Sequence, residues 1–223
     1  MSDMAVILVS APPETMAADD AALVKIDGRE AVLRAMEMFT NRAGVVQILL
    51  TIDPQQAEVY KQKIGSHLMF MGVKLSQGGA TWQEQLAHAR TLLKPEAAHV
   101  LVHDAARPAL PYTDLDSLTA LAGQYPSVGL AAPFRGTLVN GIVPGSCEVI
   151  AGQFAELQSP IMYNRSAFES LCDGTAPPLH LIEGSRLNVR AGTHDAGYVK
   201  AMIGLLPKPK IKPASSPFEE AQW

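Results

Sequence analysis

Cysteine is scarce in this chain. Cys147 and Cys172 are too few and too isolated to frame a disulfide scaffold or a metal knuckle. Long apolar runs are absent too: nothing approaches the roughly 18 residues of a membrane span. The first apolar stretch is bounded by Asp3 and by Ser10-Ala11-Pro12-Pro13, so no signal peptide is expected either. Charge is thin, at 18% of residues with a net charge of -4 and a pI near 5.8, and no Lys/Arg stripe occurs. That excludes a non-specific nucleic-acid surface. The composition that remains, 48% hydrophobic over 223 residues, is enough for one full α/β domain, read as cytoplasmic and soluble.

Apolar runs and helix signals alternate along the chain. Met4 to Val9 and Val45 to Ile52 read as buried strands, with Met69 to Leu75 a shorter candidate. Arg29 to Phe39 places Val32, Ala35, Met36 and Phe39 on one helical face. Asp53-Pro54 is a helix start, and Thr81-Trp82-Gln83-Glu84 has the spacing of a capping box after the tight turn at Gly78-Gly79. Further strands are expected at 99–102, 128–132 and 180–182, with a helix from Thr113 through Leu121 and another around Val199 and Met202. Ser166 to Glu169 repeats the capping-box pattern, and Asn140-Gly141 is the preferred pair for a two-residue hairpin turn. The pattern predicts a three-layer α/β/α sandwich on a mostly parallel, Rossmann-like sheet. A small antiparallel arm is expected at about 136–152, within a single domain of 1–206, with a flexible Pro-rich tail at 207–223.

The most informative stretch is Val100-Leu101-Val102-His103-Asp104-Ala105-Ala106-Arg107-Pro108. A buried strand runs directly into a His-Asp pair and an Arg, at the carboxyl edge where open α/β sheets hold ligands. Asp104 is a candidate metal or hydroxyl ligand and Arg107 a candidate phosphate partner. The competing reading has Asp104 capping its turn with Arg107 folded back onto it. His103 is either a base or a packing residue. The loop after the first strand argues differently. A phosphate cradle needs glycines, whose backbone approaches closely, and a cation. Ser10 to Asp20 has two prolines, three acids, no glycine and no Lys or Arg.

The Val102-to-Pro108 heptapeptide, with Gly78-Gly79 before it and Ala131-Ala132-Pro133 after it, resembles the 2-C-methyl-D-erythritol 4-phosphate cytidylyltransferase family and its ribitol-phosphate relatives. The resemblance implies a nucleotidyltransferase-type sheet and CTP-dependent transfer of CMP to a polyol phosphate with Mg²⁺. It also implies a homodimer joined by the antiparallel arm, with no nucleic-acid or membrane partner. Carried over by position, it makes Asp104 a catalytic and metal-binding residue and Arg107 a catalytic one. It places Ala11, Gly78, Gly79, Trp82, Gln85 and His103 around the nucleotide. Arg135, Thr137 and Arg190 fall on the acceptor side.

The departures are as specific as the matches. The family's glycine-rich first loop, with its catalytic Arg and following Lys, is replaced by Val9-Ser10-Ala11-Pro12-Pro13-Glu14-Thr15-Met16 and later Ala21-Ala22-Leu23. In Gly78-Gly79-Ala80-Thr81-Trp82-Gln83-Glu84-Gln85, the stretch over the cytosine, Trp82 stands for Arg and Gln85 for Ser. Trp82 is either a stacking surface or a core-rim residue. Arg135-Gly136-Thr137-Leu138-Val139 loses the acid and the Lys of the acceptor motif, while Glu183-Gly184 and Asn188-Val189-Arg190 are retained. Removing one well-placed donor from a group-transfer site costs about 3 to 4 kcal/mol of barrier. Losing the cradle and two cations predicts that transfer is weak or lost. The alternative is a non-catalytic homologue acting as a ligand-binding or protein-interaction dimer.

Overall fold

All six side chains of the first strand, β1 (Met4–Val9), are buried. Met4, Val6 and Leu8 enter one apolar cluster, and Ala5, Ile7 and Val9 enter another. That is the two-residue period of a strand covered on both faces. The computed structural model describes residues 3–12, 20–40, 42–141 and 145–207.

After β1 come the two-residue strands β2 (Lys25–Ile26) and β3 (Arg29–Glu30), which pair with each other, and helix α1 (Ala31–Glu37). Next are β4 (Val45–Ile52), α2 (Ala57–Phe70), β5 (Lys74–Gln77), α3 (Trp82–Leu92) and β6 (His99–Asp104). The chain continues through α4 (Tyr112–Ala120), β7 (Ser127–Pro133), β8 (Leu138–Gly141), β9 (Cys147–Ile150) and β10 (Ala155–Asn164). It then forms α5 (Arg165–Cys172), β11 (Leu179–Glu183) and α6 (Ala196–Gly204).

Seven strands make one sheet in the order β11-β7-β10-β6-β1-β4-β5. Every pairing is parallel except those of β10, which runs antiparallel to both β6 and β7. Val32 and Met36 of α1, Tyr60 and Ile64 of α2, and Leu115 and Leu118 of α4 bury against one face. Leu86 and Ala89 of α3 and Phe168 of α5 bury against the other. The protein is therefore the three-layer sandwich with a small antiparallel sheet that its apolar periodicity predicts. No helix among the described residues is long and apolar enough to cross a membrane.

Helix starts follow their side chains. Thr81 Oγ1 accepts the Glu84 N–H while Glu84 returns a carboxylate to the Thr81 N–H, so the capping box at α3 is complete. Asp53 accepts the Gln55 N–H ahead of α2, with Pro54 in the first position.

Four sequence expectations are corrected. Met69 closes α2 instead of opening a strand, and β5 begins at Lys74. Arg29 and Glu30 pair with β2 before α1 starts. Asn140-Gly141 lies inside β8, with Gly141 opposite Cys147, and is not the arm's turn; residues 142–144 lie outside the described residues. The cap of α5 is Asn164, whose Oδ1 accepts the Ala167 N–H, and Glu169 instead pairs with Arg165. One ten-residue strand, β10, had no sequence signal, because Pro160 sits in its middle. The tail beyond Pro207 lies outside the described residues.

Candidate functional site

The carboxyl edge of the sheet carries two separate groups of polar residues. The first is built on Asp104, the last residue of β6, which is 1% exposed. Its Oδ2 accepts the Arg190 Nε–H at 2.8 Å and lies 3.9 Å from Arg107 Nε; its Oδ1 accepts the Ala106 N–H at 2.9 Å. Arg107 donates to the Asn188 carbonyl at 2.6 Å and to Glu156 at 3.1 Å. The Ala191 N–H bonds the Ala106 carbonyl, which holds the late Arg190 segment against the β6 turn. Burial pushes the Asp104 carboxyl up from the ordinary carboxylate range, against the pull of Arg190, the Ala106 N–H and Arg107. Both readings of this turn meet here. Arg107 does fold back toward Asp104, yet both side chains also line a cavity of about 410 Å³ with Trp82, Ile161, Arg190 and His194.

His103 does not line that cavity. It is fully buried, edge-on to Phe39 at 5.4 Å between ring centroids. Its hydrogen bonds fix its tautomer. The Arg107 carbonyl, 3.0 Å away, only accepts, so Nε2 carries the proton and donates. Nδ1 then accepts from Ser159 Oγ at 2.7 Å, and Ser159 Oγ accepts the Asp104 N–H at 2.7 Å. Burial pushes the imidazole down to about 3, so it stays neutral. His103 thus clips the β6 turn to β10 and is placed neither as a nucleotide contact nor as a base.

The second group surrounds the end of β1. Gln85, on the first turn of α3, is fully buried. Its Oε1 accepts the N–H groups of Ser10 and Ala11 at 3.1 and 3.3 Å, and its Nε2 donates to the Gly79 carbonyl at 2.9 Å and to Ser10 Oγ at 3.3 Å. The two glycines make this fit possible. A Cβ on Gly78 would lie 2.9 Å from Gln85 Cα, and one on Gly79, at φ +132°, would lie 2.5 Å from Glu84 Cβ. Beside them is a cavity of about 250 Å³ lined by Ser10, Ala11, Asp20 and Asp53. Among the described residues lining it there is no Lys or Arg. Pro13 to Asp19, the rest of the expected cradle, lie outside the described residues.

The remaining sequence candidates divide. Trp82 is half-buried; it packs on the α3–α5 core and also walls the larger cavity. Arg135 and Thr137 are exposed in the segment between β7 and β8 and line neither cavity. Sequence reasoning missed Glu156 and Asn188 as partners of Arg107, and Ser159 as the hinge of the His103 clip. The one local signal that could have marked this position is the Ser159-Pro160 dipeptide.

Asp104 does not fit a divalent metal as placed. One carboxylate oxygen is held by a guanidinium, a second guanidinium stands beside it, and the other oxygen is capped by a backbone N–H. A hard cation wants several oxygen ligands free of competing cations. No group of three metal-ligating acid, His or Cys side chains occurs among the described residues.

Comparison with known proteins gives a consistent answer. A family model described as IspD, 2-C-methyl-D-erythritol 4-phosphate cytidylyltransferase, matches residues 4–152. The chain is 31% identical over 132 residues to the Rhodopirellula baltica protein of that name, covering 54% of each chain. It is 24% identical to the Dictyoglomus thermophilum protein over 92% of this chain and 97% of the other. The chain spans about half the length of several curated relatives it matches, 54% of the Rhodopirellula and 49% of the Bacillus velezensis protein. The solved Thermus thermophilus cytidylyltransferase superposes with a TM-score of 0.69 at 20% identity, over 92% of this chain and all of that one.

Proposed function

Because the chain belongs to the 2-C-methyl-D-erythritol 4-phosphate cytidylyltransferase family, we propose that it is a cytidylyltransferase-like protein with weakened or lost catalysis. The reaction in question is CTP-dependent transfer of CMP to a polyol phosphate such as 2-C-methyl-D-erythritol 4-phosphate. One observation carries this reading: the cavity at the end of β1 presents the carboxylates of Asp20 and Asp53 and, among its described residues, no cation. Attack on the α-phosphorus of CTP builds negative charge on the transferring group and on the departing pyrophosphate. Catalysis of that step is positioning plus electrostatic stabilisation. Two acids in place of a cationic cradle oppose both substrate and transition state, and the sequence from 13 to 19 contains no Lys or Arg. No step is assigned to Mg²⁺, because the ligand set at Asp104 does not suit it.

The test is pyrophosphate release from CTP and 2-C-methyl-D-erythritol 4-phosphate with Mg²⁺, run beside the Thermus thermophilus enzyme. The expected rate is lower by about a thousandfold or more, the order of losing one or two electrostatic contacts. Turnover within about tenfold of that enzyme would sink the reading.

A second reading, a non-catalytic homodimer, is favoured by the arm. Val139 of β8 and Val149 and Ile150 of β9 are exposed, as are Phe134 and Phe154 at its base. Apolar surface clustered in this way marks an association site. Sedimentation equilibrium should report a dimer that Val149→Glu dissociates; a monomeric wild-type chain would remove this reading.

A further inference from the structure

The Gln85 amide is bound the way a ligand would be. Two neighbouring backbone N–H groups, from Ser10 and Ala11 at the end of β1, converge on its oxygen. A backbone carbonyl, that of Gly79, receives its amino group on the other side. Thr51 Oγ1 stands 3.3 Å from the same oxygen and bonds the Leu8 carbonyl at 3.1 Å, closing the floor. None of these partners neighbours Gln85 in sequence, and Ser10 is 75 positions away. The donor and acceptor pattern leaves one orientation for the amide, oxygen toward Ser10 and Ala11 and nitrogen toward Gly79. Gln85 also lines the 250 Å³ cavity beside it, so this subsite adjoins open space.

We propose that Gln85 is an internal ligand, filling a subsite whose backbone groups recognise a carboxamide-type edge: an acceptor atom flanked by an N–H donor. Cytosine presents the same arrangement through N3 and its 4-amino group. A chain that supplies this edge itself leaves no room for an external one, so Gln85 decides which ligands the β1 end admits. This rests on the preceding reading only in taking the wild-type subsite as closed. Gly78 and Gly79 then serve the internal fit, since any side chain on either would strike the first turn of α3.

Chemical rescue tests the proposal on the full chain. Gln85→Ala removes the group whose atoms acetamide restores: a methyl carbon, the carbonyl and the amino group. The variant should melt at least about 5 °C below wild type, as expected when several buried polar groups lose their partners in a domain of this size. Graded acetamide should return half or more of that loss, while wild type shifts by less than about 1 °C. Acetate, which has the same shape but no N–H to offer Gly79, should fail. Gln85→Met fills the space without polar atoms and should not respond to acetamide. If Gln85→Ala is soluble only when refolded in acetamide, that also supports the proposal. The proposal is overturned if acetamide and acetate act alike, if wild type gains as much, or if no variant responds. Brisk CMP transfer by wild type would count against the proposed function alone, because acetamide rescue is read from stability.

Discussion

Two polar centres share one sheet edge and are built on opposite principles. At the end of β6, Asp104 is buried with Arg190 and Arg107, so the centre is ionic and its charges are matched within the chain. At the end of β1, Gln85 meets Ser10, Ala11 and Gly79 through neutral hydrogen bonds, and the adjoining cavity carries carboxylates. The first centre keeps the residue types that the family resemblance implies there. The second commits the backbone N–H groups of Ser10 and Ala11 and the Gly79 carbonyl to the chain's own Gln85. Neighbouring strand ends can therefore be satisfied in different ways, since each buried polar group needs only the partners packed against it.

The sharpest way to break this contrast is Asp104→Ala. It removes a buried carboxylate that faces two guanidiniums, Arg190 and Arg107, and should cost about 3 to 5 kcal/mol, read from the urea midpoint. Replacing both partners, Asp104→Leu with Arg190→Met, should cost less than the single change. A single-variant loss below about 1 kcal/mol would mean the pair is effectively solvated and the centre is not ionic in the sense argued.

A smaller effect tests the clip that ties β6 to β10. His103 is held neutral down to about pH 3, whereas in the unfolded chain it takes up a proton near 6.5. Between those values the unfolded state binds the extra proton, so stability is full above about pH 6.5 and falls as the pH drops. Wild type should therefore lose about 2.3 kcal/mol more than His103→Gln between about pH 6.5 and 4.5, the slope approaching about 1.4 kcal/mol per pH unit toward the acid end. Parallel urea-unfolding series at the two pH values give the comparison, and equal losses would remove the buried neutral imidazole from the account.

The smallest change probes the β1 side. Gly79→Ala forces a Cβ onto Glu84 at a positive φ and should lower stability by about 1 to 3 kcal/mol in a thermal melt. No measurable loss would show that α3 can shift, and that the Gln85 contacts are looser than their distances imply.

Much of the fold was legible because apolar runs are unambiguous when both faces of a sheet are covered. β1, β4 and β6 stand where their Val, Leu and Ile runs place them. β10 was hidden because Pro160 reads as a breaker, while in the sheet the pairing of β10 with β7 shifts register between Gln158 and Ile161. Asn140-Gly141 misled for a related reason: a turn-forming pair also tolerates an exposed strand in a two-stranded arm. In the candidate site, Asp104, Arg107 and Arg190 were identified and do meet. His103 and Gln85, which the resemblance places around the nucleotide, direct their polar atoms to groups of the chain itself.

The sequence by itself determined the α/β layering, the polar turn at the end of β6 and the missing cations of the first loop. Each is a property of a short stretch, carried by apolar runs, side-chain charge or the presence of proline where a donor N–H is needed. Only the tertiary structure decided which distant groups satisfy one another. Arg190 reaches Asp104 across 86 positions, and Gln85 reaches Ser10 across 75. Those pairings depend on strand order and on where each helix lands on the sheet. A buried polar group takes whichever partner the packing delivers, and local sequence carries no record of that choice.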